Sequence, residues 1–89
     1  MKISATHLGD YILLEYENVT GYTLWEDHGH EIEMRCVYGS GWSFEIQDVG
    51  SQELEDGDVF TIPAGQYYRF VPPHDAASNL VLKIEHERG

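Results

Sequence analysis

Apolar and polar residues alternate along much of the chain, in short runs that turn residues separate. The clearest run spans residues 31–38, where every second residue is apolar: Ile32, Met34, Cys36 and Tyr38. A period of two is typical of a β-strand with one buried face. We therefore expect a strand here, with Cys36 as a buried and unreactive thiol on its inner face.

Comparable runs predict further strands at residues 11–16, 21–25, 42–46, 58–62, 66–71 and 79–84. Glycine, proline and aspartate, the usual turn residues, separate these runs. The turn at residues 39–41 predicts a hairpin that joins the strands at 31–38 and 42–46. No segment shows a sustained helical period. Many short strands predict an all-β barrel or sandwich that forms a single domain over residues 1–89.

The composition is strongly acidic and narrows the range of partners. Five Lys and Arg face sixteen Asp and Glu, for a net charge of −11. We expect no nucleic acid partner, because cationic side chains must neutralise phosphates, and no docking on anionic membranes. No apolar run is long enough for a membrane helix, and the first residues lack the apolar core of a signal peptide. These features predict a cytoplasmic protein, and the single Cys36 excludes an internal disulfide.

The segment at residues 57–70 carries the most specific motif. Gly57 opens it, Asp58 begins a strand, Pro63 ends that strand and Gly65 turns the chain back. This order and spacing resemble the second sequence motif of the cupin superfamily. The resemblance places position 68, usually a metal-binding histidine in cupins, inside the barrel, and this chain has Tyr68 there.

The first cupin motif, with two histidines, a carboxylate and a glycine, resembles residues 21–39 in more than one register. Counting back from Gly39 puts Ile32 at the carboxylate position, His28 at the second histidine and Glu26 at the first. A register that keeps both histidines uses His28 and His30, with Glu33 as the acid at a shortened spacing. A third register pairs His28 with Glu33.

The resemblance, which covers roughly residues 20–84, implies a small cupin β-barrel, also called a jelly roll or double-stranded β-helix. Cupins have an open mouth and are often homodimers. Members include metal-dependent dioxygenases, isomerases and lyases, sugar-binding proteins and ligand binders without catalysis. The fold therefore leaves the activity open.

One hypothesis is a metal-dependent cupin enzyme. His28, His30 and Glu33 would form a set of two imidazoles and one carboxylate, which suits a single divalent ion such as Fe, Ni, Mn or Zn. The opposing interpretation is that residues 27–30 are a polar loop that binds no ion.

The other hypothesis is a cupin without metal whose lumen binds a small polar molecule. The replaced ligand positions at Ile32 and Tyr68 favour it. We expect Tyr68, Arg35, Arg69 and Phe70 to line the pocket. Either arginine would serve as an anchor for a carboxylate or phosphate, or Arg35 would pair with a neighbouring acid on its own strand. Five aromatic residues would lie either in the core or at a homodimer interface: Tyr22, Trp25, Tyr38, Trp42 and Phe44.

Overall fold

A computed structural model describes residues 1–73 and 77–85, and within these ranges the protein forms eight β-strands. Its strands are β1 (Lys2–Leu8), β2 (Tyr11–Val19), β3 (Ile32–Tyr38), β4 (Ser43–Ile46), β5 (Gly50–Glu53), β6 (Val59–Ile62), β7 (Tyr68–Val71) and β8 (Ser78–Glu85). No helix in these two ranges is long and apolar enough to cross a membrane.

The strands form two antiparallel sheets that face each other. The larger sheet has the order β1-β2-β8-β3-β6 and the smaller one the order β5-β4-β7. Consecutive strands therefore cross repeatedly between the two layers, which is the connectivity of a jelly roll. The predicted all-β cupin-type barrel is confirmed.

The core lies between the two sheets and consists of the inward residues of each strand. On β3 these are Ile32, Met34 and Cys36, all buried. Tyr38 breaks the predicted pattern, with 58% of its surface exposed, because the register of β3 against β8 shifts between Cys36 and Tyr38. Across the core, the rings of Phe44 and Phe60 stack at 4.4 Å and tie the two sheets together.

The predicted hairpin at residues 39–41 is wrong. β3 belongs to the larger sheet and β4 to the smaller one, so this turn carries the chain from one sheet to the other. Gly39 makes the crossing tight, since a Cβ atom there would lie 2.5 Å from Cδ1 of Leu80. A glycine-rich turn between two apolar runs looks the same in sequence whether it closes a hairpin or crosses between two sheets. Only contacts within the folded core distinguish the hairpin from the crossing.

Two strands and one irregular segment also differ from the prediction. β1 and β5 were not predicted, because β5 is exposed at every position and β1 at nearly every position, and neither shows clear alternation. Conversely, residues 21–25 form no regular strand. That segment runs beside β7 and is held by single backbone bonds, such as the one from Thr23 N to Phe70 O at 3.0 Å.

Candidate functional site

The irregular segment of residues 20–31 brings polar side chains to Tyr68, the first residue of β7. Glu26 and Tyr68 exchange two backbone hydrogen bonds of 2.9 Å each, and Gly65 N donates to His28 O at 2.7 Å. Gly65 has a φ of 75°, which glycine adopts without strain as it turns the chain into β7. These bonds set positions 26 and 28 beside position 68.

The side chains of Glu26, Tyr68 and His28 form a hydrogen-bonded chain, the tyrosine triad. The Tyr68 oxygen lies 2.7 Å from His28 Nε2, and its hydroxyl donates to Glu26 Oε2 at 3.3 Å. A phenol has one proton to donate. With that proton directed at Glu26, the bond to His28 requires the tautomer in which Nε2–H donates to the Tyr68 oxygen.

The triad runs from the protein interior to the solvent. Tyr68 is buried, with 2% of its surface exposed, His28 is half-buried and Glu26 is exposed. The rings of His28 and Tyr68 also stack, with centroids 5.6 Å apart. The phenol is therefore fixed by both packing and hydrogen bonds, whereas the Glu26 carboxylate remains accessible to solvent.

Two buried phenols in this region stay protonated well beyond neutral pH. Burial raises the pKa of Tyr68 far above its ordinary value, and the charges of Glu26 and Asp27 raise it further. Burial and the charge of Glu26 likewise raise the pKa of Tyr16. Tyr16 packs edge-on against Phe70, which packs edge-on against Tyr68. Both phenols therefore stay neutral near neutral pH and do not act as bases.

Two of the three predicted metal ligands are neighbours, and the third lies apart from them. The His28 and His30 rings lie 6.3 Å apart. Glu33 is exposed and alternates with the buried Ile32 and Met34, so it points away from the core. Within residues 1–73 and 77–85, no group of three or more His, Cys, Asp and Glu side chains is placed to hold a metal ion.

The tyrosine triad does not fit a resident metal either. Only Glu26 and His28 in it are good ligands, and Tyr68 already bonds to both of them. A neutral phenol is a weaker ligand than a carboxylate or an imidazole, and Tyr68 would have to lose its proton to coordinate an ion well. The carboxylate position of the Gly39-based register holds the apolar and buried Ile32. The donor chemistry therefore suits hydrogen bonding better than coordination.

The four predicted pocket residues occupy three different environments. Tyr68 and Phe70 are buried on the inner face of β7. Arg69 lies on the outer face of the same strand, where Nη2 donates to Glu45 Oε1 at 2.9 Å and the guanidinium sits 4.2 Å from the ring centroids of both Tyr22 and Trp25.

Arg35 is also separated from the interior. It is exposed and alternates with the buried Met34 and Cys36. Within the described parts of the chain it forms no ion pair with Glu33. Neither arginine is therefore placed to anchor a ligand beside Tyr68.

Two clefts open elsewhere on the surface. One, of about 380 Å³, lies between β5 and β6. The other, of about 330 Å³, lies near Asn18, Trp42 and Asp56. Cys36 is buried, and burial together with the charges of Asp56 and Asp58 raises the pKa of its thiol to about 11. It is therefore an unreactive core residue, as predicted.

Glu26 and Tyr16 were not among the predicted site residues. The Gly39-based register carried the signal for Glu26, since it placed this carboxylate at the first histidine position and His28 at the second. The observed grouping of Glu26, His28 and Tyr68 agrees with that register. Tyr16 had no comparable signal, because it shares a face of β2 with the apolar Ile12 and Leu14 and is therefore typical of an ordinary core residue.

No protein-family model matches the chain. A curated relative, acireductone dioxygenase from Branchiostoma floridae, is 44% identical over 54 residues, and the match covers 54% of this chain and 30% of that protein. The matched part therefore corresponds to about a third of the relative's length.

Solved structures resemble nearly the whole chain. A protein from Neisseria meningitidis superposes with a TM-score of 0.68 at 15% identity, covering 97% of this chain and 84% of the other. A cupin-2 domain protein from Shewanella frigidimarina gives 0.66 at 17%, covering 97% and 80%. A cupin domain from Bordetella pertussis gives 0.64 at 19%, covering 97% and 92%. Together with the jelly-roll connectivity, these matches show that the chain has the cupin fold.

Proposed function

We propose that the protein is a cupin that binds a small polar molecule through the tyrosine triad, without a resident metal ion. The observation that carries this proposal is the position of the Tyr68 oxygen, 2.7 Å from His28 Nε2 and 3.3 Å from Glu26 Oε2. The site thus offers a buried phenol at its base and a carboxylate and an imidazole nearer the solvent. Few polar groups that converge at the edge of an apolar core are typical of small-molecule sites.

The charge around the triad selects the class of ligand. Glu26 and Asp27 are the charged groups that shift the pKa of Tyr68, and both raise it. The local field is therefore negative, and the two strand arginines lie outside the site. An anionic ligand would meet repulsion from these carboxylates. We infer a neutral or cationic ligand, such as a polyol or an amine, that donates a hydrogen bond to Glu26.

A thermal-shift screen with small polyols, sugars, amines and carboxylic acids tests the proposal. A ligand at about 100 times its Kd adds about 2.7 kcal/mol to the free energy of unfolding, which is a clear shift for a chain of this size. We expect hits among the polyols or amines and none among the acids. Tyr68→Phe should abolish the shift, whereas Tyr67→Phe should not, because the Tyr67 side chain is 47% exposed.

A set of hits confined to the acids would contradict the ligand class. A shift that Tyr68→Phe leaves intact, with the variant folded, would contradict the role of the phenol. Circular dichroism of both variants separates loss of binding from loss of fold.

A metal-dependent cupin enzyme with one Fe, Ni, Mn or Zn ion is the second candidate. The match to a protein named acireductone dioxygenase favours it, since the cupin resemblance includes metal-dependent dioxygenases. The available metal-ligating side chains do not favour it, because Glu33 points away from the core and Tyr68 is a weaker ligand than the histidine usual at its position. Elemental analysis of protein purified without an affinity tag decides between the two.

A near-stoichiometric ion that is lost in His28→Ala but kept in His7→Ala would support the second candidate over the first. His7 lies on β1, at the far edge of the larger sheet, and serves as the matched control. Absence of binding after incubation with each ion in turn would end the second candidate.

A further inference from the structure

The cleft between β5 and β6 is a seam between the two sheets. Both strands are sheet edges: β6 ends the larger sheet and β5 ends the smaller one. The cleft between them measures about 380 Å³. Its floor contains the stacked rings of Phe44 and Phe60, and Val59 and Val49 on its rim are 48% and 73% exposed. The seam thus combines an apolar floor with two strand edges.

The edge of β6 directs backbone groups into this cleft. Cys36 N donates to Asp58 O at 2.8 Å, which makes position 58 a hydrogen-bonded position of the ladder with β3. Hydrogen-bonded and non-bonded positions alternate along an antiparallel pair. Phe60 therefore bonds to β3, opposite Met34, and the N–H and C=O groups of Val59 and Thr61 point away from β3.

The edge of β5 is arranged in the same way on the other side. Just beyond β4, Gln47 N donates to Tyr67 O at 2.9 Å. Because bonding directions alternate along a strand, the backbone groups of odd-numbered residues in β4 point toward β7 and those of even-numbered residues point toward β5. Phe44 then bonds with its partner Gln52, and the backbone groups of Ser51 point outward into the seam.

The strands that form the seam carry only acidic charged residues, although two cations flank them: Arg35 lies opposite Val59 on β3, and Arg69 pairs with Glu45. Residues 43–62, which supply β4, β5, β6 and their connections, contain no Lys, Arg or His. The charged residues of this stretch are Glu45, Asp48, Glu53, Glu55, Asp56 and Asp58. The seam therefore favours a cationic partner and disfavours a second copy of this acidic chain.

We propose that the seam binds an extended peptide carrying lysine or arginine, which adds to β6 as its next strand. The N–H and C=O groups of Val59 and Thr61 would bond to the peptide backbone, its inward side chains would contact Phe44 and Phe60, and its basic side chains would meet the acidic surroundings. This is strand addition at an exposed sheet edge, in which backbone bonds supply affinity and pockets supply specificity. A small apolar ligand would leave the edge groups unpaired.

The test uses a short blocked peptide of alternating valine and lysine with a fluorescent label, measured by anisotropy. We expect saturable binding that weakens with salt. Two N-methylated versions are compared, one methylated at the valine amides and the other at the lysine amides. One of them should bind about thirtyfold more weakly than the other, because only alternate amides face β6 and two backbone hydrogen bonds are then lost. A version with glutamate in place of lysine should not bind.

Variants of the protein assign the binding to the seam. Val59→Lys places a positive charge on the rim and should weaken binding about tenfold, while Val37→Lys, at a similarly exposed valine outside the cleft, should leave it unchanged. Thr61→Pro removes one edge donor and should weaken binding as well, since proline is tolerated at an outward position of an edge strand.

Several results would overturn the proposal. These are no binding up to millimolar peptide, equal binding of both N-methylated versions, binding of the glutamate version, or equal effects of Val59→Lys and Val37→Lys. A chain that dimerises through the seam, and that Thr61→Pro converts to a monomer, would overturn it too. None of these measurements depends on the tyrosine triad.

Discussion

The phenol oxygen of Tyr68 lies 2.7 Å from Nε2 of His28, and the two rings stack with their centroids 5.6 Å apart. The tyrosine stands where the cupin resemblance places a metal-binding histidine. In this chain the imidazole of His28 is therefore held by a phenol. The site is organised around the buried phenol oxygen of Tyr68. The stability of the protein and its dependence on pH should therefore change when this oxygen is removed or ionised.

Replacing Tyr68 with phenylalanine should lower the free energy of unfolding by about 1–3 kcal/mol. The ring contacts with Phe70 would remain, but His28 and Glu26 would both lose their hydrogen-bond partner. Urea unfolding measures the change. The control, Tyr67→Phe, removes an exposed hydroxyl next in sequence and should stay within about 0.5 kcal/mol of the wild type. Equal effects of the two substitutions would show that the triad contributes nothing to stability.

Alkaline pH should destabilise the protein through its two buried phenols. The pKa values of Tyr16 and Tyr68 are raised in the folded state above the ordinary value of 10.0. The stability that each contributes is therefore fully present below pH 10.0 and is lost as the pH rises from there toward the folded-state pKa. Urea unfolding at a series of pH values across this range should show a steep fall in the free energy of unfolding.

The double variant Tyr16→Phe/Tyr68→Phe should have a flatter profile over the same range, because neither phenol is left to ionise. Ultraviolet absorbance of tyrosinate gives an independent measurement on the folded wild-type protein. We expect two of its tyrosines to titrate only when the chain unfolds. Titration of every tyrosine near its ordinary pKa in the folded protein would contradict the burial of Tyr16 and Tyr68.

The strands with alternating sequences could be predicted from the sequence, and the exposed ones could not. β3 and β8 alternate because each has one face in the core, as Met34 and Leu82 show. β1 and β5 are edge strands with little buried surface, so burial leaves little pattern in their sequences. The turn at Gly39 was predicted, but its role as a crossing between sheets depends on contacts with Leu80, which lies far away in sequence.

The candidate site was predictable where nearby turn residues fix a position, and unpredictable where long-range backbone bonds do. The second motif placed Tyr68 correctly inside the barrel, because Pro63 and Gly65 fix the turn before β7. The choice between His30 and Glu26 as the companion of His28 depended on the path of residues 20–31. That path has no regular strand and is fixed by backbone bonds to Tyr68 and Gly65. Such long-range bonds leave no periodic trace in a single sequence.

Replacing Gly39 with alanine should destabilise the fold by about 1–3 kcal/mol, the usual cost of overpacking a core. The new Cβ would lie 2.5 Å from Cδ1 of Leu80 and 3.1 Å from Sγ of Cys36. Gly21→Ala is the matched control, since a Cβ there meets nothing within 4 Å. Thermal unfolding of both variants measures the difference. If Gly39→Ala proves as stable as Gly21→Ala, the crossing between the sheets is looser than described.

Arg69 should contribute to stability and not to ligand binding. Its guanidinium lies between the rings of Tyr22 and Trp25 and bonds to Glu45, with 23% of its side chain exposed. Arg69→Met keeps much of the aliphatic packing but removes both cation–π contacts and the ion pair. We expect the free energy of unfolding to fall by about 1–2 kcal/mol.

The matched control for Arg69→Met is Arg35→Met, which changes the other strand arginine at an exposed position on β3. It should shift the free energy of unfolding by no more than about 0.5 kcal/mol. Both variants should keep the thermal shifts produced by ligands of the tyrosine triad, because the Arg69 side chain lies on the opposite face of β7 from Tyr68 and Arg35 is exposed on β3. A ligand shift lost in Arg69→Met at unchanged stability would instead place this guanidinium in the binding site, and the inference of a neutral or cationic ligand would then be wrong.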